Sequence, residues 1–403
     1  MNDMEKKKVL IVGGGNAGLS VAAQLLRKNK SLDVQVIEPS DKHYYQPAWT
    51  LVGAGIFDIR KTVRNEADVI PAGVKWIRDA ITEFEPEHNR VKGKSGESYT
   101  YDVMVVAPGI QLDWQKVKGL RENLGKNQVS SNYSFDHATY TWDMIKNFTG
   151  GVAVFTNPST PIKCGGAPHK IMYLACDYWR KKGILDKCEV HYISGGSVLF
   201  GVKEYLATLQ KVVEKNNIHL HLGANAVEVD GINHILYYEE KSADGQPVRK
   251  DIHFDILHAV PPQSAPDFIK NSPLADPKNP HGYVEVDKFT LQHTRYANIF
   301  SLGDSSNAPC SKTGAAIRKQ AHVVVENIIS FFNQQKLEKE YHGYSACPIP
   351  TQYGKLMLAE FDYSNKPTMT FPFDQAKPRW TMWMLKKYIL PWLYWNKILK
   401  GTA

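Results

Sequence analysis

Apolar positions along this chain fall into two alternating rhythms. Short unbroken runs rich in β-branched side chains are followed by stretches whose apolar residues recur at helical spacing, a pattern that predicts parallel strands joined by crossover helices. The spacing predicts a strand from Lys8 to Val12, a helix from Asn16 to Lys28 and a strand from Asp33 to Ile37, closed by Glu38. Thr100 to Ala107 reads as another buried strand, stopped by Pro108-Gly109. Trp114 to Asn147 shows no clear period, so only loop and helix are expected there. A second unit spans roughly 151–261, with strands at Val152, Glu189 and Ile218 and a helix from Ala167 to Lys182. Near Asn298 the pattern returns to the first unit. The fold class is therefore α/β, with one domain discontinuous: 1–112 with 290–345, then 113–289, and a C-terminal segment 346–403.

A chain of 403 residues exceeds what one core usually serves, in agreement with more than one domain. The formal charge is +8, but the stretch from Gln375 onward holds Lys377, Arg379, Lys386, Lys387, Lys397 and Lys400 with no acid; without them about +2 remains. The basicity is local and points to an anionic surface at one end, with no nucleic-acid partner expected. Met1 to Lys8 lacks the apolar run of a secretory signal and the length of a mitochondrial presequence. Five cysteines are too few for a disulfide framework, so a bridge here is expected to be catalytic. No metal site is expected.

The first strand runs into Gly13-Gly14-Gly15-Asn16-Ala17-Gly18, a G-x-G-x-x-G turn. Gly13 suits the tight turn, Gly15 the approach of a pyrophosphate to the helix start at Asn16 and Ala17, and Gly18 the packing of helix on strand. Glu38, twenty residues beyond Gly18, stands where a carboxylate accepts both ribose hydroxyls. The alternative is a chance glycine turn. Far downstream, Thr294 to Asp304 resembles the second flavin motif of the pyridine nucleotide-disulfide reductase superfamily, which implies FAD, with Gly303-Asp304 placing a carboxylate on the ribitol chain. Lys312-Thr313-Gly314 then reads as a helix start facing the flavin ring, unless Lys312 is a solvated surface lysine. After Phe155 the second unit reads Thr-Asn-Pro-Ser-Thr-Pro, with prolines where phosphate approach needs glycines, and Ser194-Gly195-Gly196-Ser197 has the wrong spacing. NAD(P)H is not the expected electron donor.

Cys164 has Lys163 beside it and precedes the helix start near Ala167, an environment that favours a thiolate. Cys347 lies in Ser345-Ala346-Cys347-Pro348-Ile349-Pro350, read as a proline-braced loop that exposes the sulfur in a turn. Cys176 and Cys188 read as small buried hydrophobes. Cys310 is intermediate, and spacing alone does not choose Cys164 with Cys347 over other pairs. His169 reads as a helix-surface histidine, and no general base is assigned.

Tyr45-Gln46-Pro47, Trp49-Thr50-Leu51-Val52-Gly53-Ala54-Gly55, Pro161 to Cys164, Lys170-Ile171-Met172-Tyr173-Leu174, Phe200-Gly201-Val202-Lys203 and Ala359-Glu360-Phe361-Asp362-Tyr363 together resemble the sulfide:quinone oxidoreductases, in the branch that includes the mitochondrial enzyme. The resemblance covers nearly the whole chain. It implies two Rossmann-like domains of the disulfide-reductase flavoprotein type, Cys164 and Cys347 as redox pair, and flavin contacts from Gln46 and the backbone of Ile81. It also implies the chemistry. Hydrosulfide attacks a disulfide or trisulfide bridge at Cys347, a persulfide forms there, and a small acceptor (thiol, sulfite or sulfide) removes its sulfur while two electrons pass through FAD to a membrane quinone. The rival readings are a type II NADH:quinone oxidoreductase, a soluble sulfide dehydrogenase delivering electrons to cytochrome, and a non-catalytic FAD-binding protein that docks through its tail.

Trp380, Trp383, Tyr388, Trp392, Tyr394 and Trp395, interspersed with basic residues, have the composition of a membrane-interface segment. Lys386, Lys387 and Pro391 leave no stretch long enough to span. The expectation is an amphipathic peripheral segment, placed with the missing leader on the cytoplasmic face of a bacterial inner membrane; a core or homo-oligomer contact is the alternative. Phe371 and Phe373 are read as walls of a quinone channel or as packing.

Overall fold

The computed structural model describes residues 6–242 and 244–403. Strand β1 (Lys8–Val12), helix α1 (Asn16–Lys28) and strand β2 (Asp33–Ile37) have the bounds that periodicity predicts. β3 (Lys75–Ile77) and β4 (Val103–Val106) follow. A small antiparallel sheet of Ile81–Glu85, Arg90–Gly93 and Ser98–Thr100 is inserted between them. The second sheet is built from β5 (Val129–Ser130), β6 (Gly151–Asn157), β7 (Cys188–Ser194), β8 (Ile218–Leu222) and β9 (Ile256–His258), all parallel, with helix α2 (Ala167–Lys181) crossing after β6. β10 (Ile299–Ser301) then returns beside β4, so the first sheet has the order β10-β4-β1-β2-β3, parallel throughout. These are the Rossmann-like parallel sheets of a disulfide-reductase flavoprotein fold. Val9, Leu10 and Ile11 are fully buried, as a parallel strand covered on both faces requires.

Helix α3 (Gly314–Phe332) starts with Thr313 as N-cap, its hydroxyl accepting from the Ala316 N–H at 3.2 Å. A hairpin of β11 (Ser345–Gln352) and β12 (Lys355–Phe361) follows. Cys347 therefore lies in a strand, opposite Ala359 and only 2% exposed, not in an exposing turn. Pro348 and Pro350 are tolerated because the hairpin has only two strands, so an edge accepts residues lacking an N–H. The last segment is helical from Trp380 to Ile398, passing through two π turns. No described helix is long and apolar enough to cross a membrane.

The glycine turn is fixed by sterics. A Cβ on Gly18 would land on the Gly13 carbonyl oxygen, whereas one on Gly15 meets no heavy atom within 4 Å. Gly18→Ala is expected to cost about 3 kcal/mol or more and Gly15→Ala to stay within about 0.5 kcal/mol, as thermal or denaturant unfolding of both variants will measure.

Candidate active site

The two sulfurs remote in sequence meet in space: Cys164 Sγ lies 3.6 Å from Cys347 Sγ. Two local features bring them there. Cys164 has φ of 54°, a left-handed conformation that turns the chain sharply into α2; its N–H donates to Lys312 O at 2.7 Å, and its carbonyl accepts from Ala167 N. Gly166 leaves room for the partner, since a Cβ there would sit 2.5 Å from Cys347 Sγ.

The cation on the thiol is not the neighbouring lysine. Lys163 donates to Gln46 Oε1 at 2.5 Å and lies over the Trp49 and Tyr133 rings. Instead Lys170, one turn into α2 and 3% exposed, places its ammonium 2.7 Å from Cys164 Sγ. The hydrogen bond from Cys347 and, against burial, the Lys170 charge push the Cys164 thiol well below its ordinary range. Its neighbour Cys164, followed by burial, pushes Cys347 well above. Lys386 comes from the C-terminal helix, donates to Pro47 O at 3.2 Å, and adds a second nearby charge; burial and Lys170 bring its pKa down to about 7.

The other cysteines stand apart from this arrangement. Cys176 is fully buried and its thiol raised by burial, and Cys188, raised by burial to about 11, donates to Ile184 O. Cys310 accepts from Gln320 Nε2 and is raised by burial. His169 is not on the helix surface. It is 2% exposed between the Tyr173 and Tyr192 rings, and burial lowers its pKa to about 3, so it stays neutral.

Around the glycine turn, Gly14 N–H donates to Glu38 Oε2 and Ser40 N–H to its Oε1, both at 2.8 Å; burial nevertheless raises the Glu38 carboxyl. The starts of α1 and α3 converge: a Cβ on Gly303 would lie 3.3 Å from Ala17 Cβ, and one on Gly314 3.6 Å from Asn16 Nδ2. Asp304 Oδ1 is buried with no hydrogen-bond partner among the described residues, and burial raises its carboxyl. Lys312 is buried rather than solvated, but its ammonium is spent on the Asp304 and Ser306 carbonyls at 2.7 and 3.0 Å and on the Tyr283 ring, so it does not point free into the cleft. Ile81 opens the small antiparallel sheet opposite Gly93.

At the second Rossmann-like unit the loop after β6 packs closely on Gly195, beside a cavity of about 320 Å³ lined by Asn157, Ser159, Gly196 and Lys312. Gly195 N–H donates to Asn157 O, Ser159 N–H donates to Asn225 Oδ1, and a Cβ on Gly195 would collide with Ser159 N. That glycine admits the protein's own loop.

The aromatic tail divides into two faces. Trp380, Tyr388, Ile389 and Trp392 are exposed, each by more than half. Trp383 and Trp395 turn inward instead, Trp383 against Tyr353 and Trp395 against His43 and Tyr45, because the helix needs an apolar seam to pack. Phe371 and Phe373 stack on each other at 5.3 Å, half-buried, beside the second core. The buried Glu360 carboxylate secures this region, accepting from Tyr344, Thr370 and Gln375.

Comparison with known proteins gives the family. Over 396 residues the chain is 47% identical to the mitochondrial sulfide:quinone oxidoreductase of Dictyostelium discoideum, covering 98% of this chain and 86% of that protein. The chain belongs to the sulfide:quinone oxidoreductase family. The mouse (Mus musculus) mitochondrial member of the family is 41% identical over 394 residues, with the same 98% and 86% coverage. The family model described as pyridine nucleotide-disulphide oxidoreductase matches residues 7–141. The fold matches the crystal structure of the sulfide:quinone oxidoreductase from Aquifex aeolicus with a TM-score of 0.82 at 19% identity, over 98% of this chain and 92% of that one.

Iodoacetamide alkylation of the reduced protein tests which lysine sets the thiolate. Lys170→Met is expected to move the pH midpoint for Cys164 upward, slowing alkylation near pH 6 by about tenfold or more, while Lys163→Met leaves the profile nearly unmoved.

Proposed function

We propose that this chain oxidises hydrogen sulfide through a Cys164–Cys347 bridge and passes the electron pair, by way of FAD, to a membrane quinone. The observation that carries the reading is the buried Lys170 ammonium on Cys164 Sγ, with Cys347 Sγ 3.6 Å beyond. Thiol–disulfide exchange runs fastest when the departing sulfur is a stabilised thiolate, and Lys170 supplies that at Cys164. Hydrosulfide therefore attacks Cys347: a new S–S bond forms there, the bridge breaks, and Cys164 leaves as thiolate carrying the bond's electron pair. A thiol, sulfite or sulfide acceptor then takes the outer sulfur of the Cys347 persulfide and leaves Cys347 as thiolate, so both sulfurs stand reduced.

The residues present fit FAD. The turn from Gly13 to Gly18 and the α1 start receive a pyrophosphate, Glu38 a ribose, and the unpartnered Asp304 Oδ1 a ribitol hydroxyl. Gln46 and Ile81 are further contacts. When bound, FAD supplies the two-electron acceptor that lets the bridge re-form and the one-step donor that quinone requires. Pro158 and Pro161 in the loop after β6, where phosphate approach needs glycines, speak against the NADH-dependent alternative.

The exposed Trp380, Tyr388, Ile389 and Trp392 lie on a membrane surface as an amphipathic face, with Phe371 and Phe373 beside the quinone path. The protein is peripheral, with the discontinuous domain 1–112 and 290–345 carrying FAD, 113–289 carrying Cys164, and 346–403 carrying Cys347 and the quinone and membrane contacts.

Anaerobic sulfide titration is expected to bleach the flavin, a short-chain quinone to restore it, and NADH to leave it oxidised. Cys164→Ser and Cys347→Ser should each slow sulfide-dependent reduction by at least about a thousandfold. Bleaching by NADH with indifference to sulfide would overturn the assignment.

A further inference from the structure

Where the C-terminal helix ends, it closes one wall of a groove of about 1010 Å³ that the sulfide chemistry does not use. The opposite wall is the lower edge of the first sheet: the start of β1, the end of α1, the start of β2 and residues 68–73. Six of the described lining residues are cationic: Lys6, Lys8, Arg27, Lys30, Arg64 and Lys400. Two carboxylates face them, Asp33 and Asp68, each bonded only to a neutral amide, Gln35 Nε2 at 2.7 Å and Asn65 Nδ2 at 3.0 Å, and Lys8 donates to Thr100 Oγ1 at 3.2 Å, so the lining keeps a surplus of positive charge. Arg27 and Lys30 alone would only complement the negative end of the α1 dipole. Lys6, Arg64 and Lys400 come from three other segments, so the convergence is a property of the assembled groove. Arg64 is set in place by the Trp395 ring, 4.2 Å beneath its guanidinium.

Between the cations lie the half-buried Leu26 and Ile70, over a floor formed by the edges of the buried Leu32, Val69, Trp395 and Leu399. A groove with a basic rim and a hydrocarbon floor matches an amphiphile with an anionic head. The tail leads straight to it, since Trp392 is exposed one turn before Trp395 turns inward to line the groove. Lysine and arginine at this depth take anionic headgroups, and the floor takes the upper part of the acyl chains.

We propose that this groove binds one anionic phospholipid of the bilayer on which the tail rests. The inference rests on the peripheral-membrane reading, and the charge balance of the groove is what selects an anionic over a zwitterionic headgroup. Bound there, the lipid joins the tail to the first sheet and fixes the height at which Trp380 and Trp392 sit in the interface.

Soluble short-chain lipids separate the groove from general membrane adhesion. Calorimetry on the flavin-loaded protein is expected to show saturable binding of dihexanoyl phosphatidylglycerol, with dihexanoyl phosphatidylcholine weaker by about tenfold or more and inorganic phosphate unable to compete. The variant Arg27→Gln/Lys30→Gln/Lys400→Gln changes three exposed side chains; it should weaken phosphatidylglycerol about a hundredfold with flavin content and sulfide reduction as in the parent. Equal affinity for the two lipids, an unaffected triple variant, or displacement by phosphate at matching concentration would each overturn the lipid assignment. Trp380→Ser/Trp392→Ser should lose sedimentation with phosphatidylcholine–phosphatidylglycerol vesicles and keep short-chain binding. Undiminished sedimentation of that variant would count against the aromatic face alone and leave the groove result standing.

Discussion

A primary ammonium removed from water needs an anion beside it, and in this protein the anion for Lys170 is a sulfur atom. That constraint organises the site. Lys170 is buried in the first turns of α2, a helix whose beginning is folded back by the left-handed Cys164. Burial alone would discharge the lysine, and the two sulfurs reverse that. The charge is therefore shared by one helix turn, one strained loop and one hairpin strand; Lys312 O holds the loop, and Thr370 and Gln375 hold the hairpin by donating to its own Glu360.

The asymmetry between the two sulfurs follows from the same pairing. Both face the same small space, yet Lys170 donates to Cys164, while Cys347 comes from a strand packed among Ile349, Leu358 and other apolar side chains. One sulfur is suited to depart and the other to retain an added atom. Lys386 differs from Lys170 in kind, because a pKa near 7 lets it gain or lose its proton within the physiological range.

Much of the first sheet was legible in the sequence because its signals are local. The glycine turn, the buried run at Val9 and the cap at Thr313 each fix an element within a few residues, and the bounds of β1, α1 and β2 follow directly. What resisted reading was set by contacts between distant segments. Cys347 looked like a turn residue because two prolines follow it; only the absence of a further strand beside the hairpin makes them compatible with β structure. Lys163 looked like the activating cation because it is adjacent in sequence, whereas the helix start carries Lys170 back over the sulfur and leaves Lys163 to Gln46. His169 carries a polar ring into an apolar setting, whereas a histidine on a helix reads as a surface residue. For the tail, composition did not tell inner from outer, a distinction made by packing against Tyr353, His43 and Tyr45.

The terminal helix ties an exposed aromatic face to the neighbourhood of the two sulfurs. Its inner side brings the Lys386 ammonium toward the two thiols and places the Tyr394 phenol 2.6 Å from His43 Nε2, while Nδ1 of the same ring meets Glu66 at 3.1 Å. Clipping the chain ahead of Trp380 to make it easier to handle would thus unroof the sulfur chamber and strand a buried His–Glu couple without its cover. A shortened protein of that kind is a damaged catalyst.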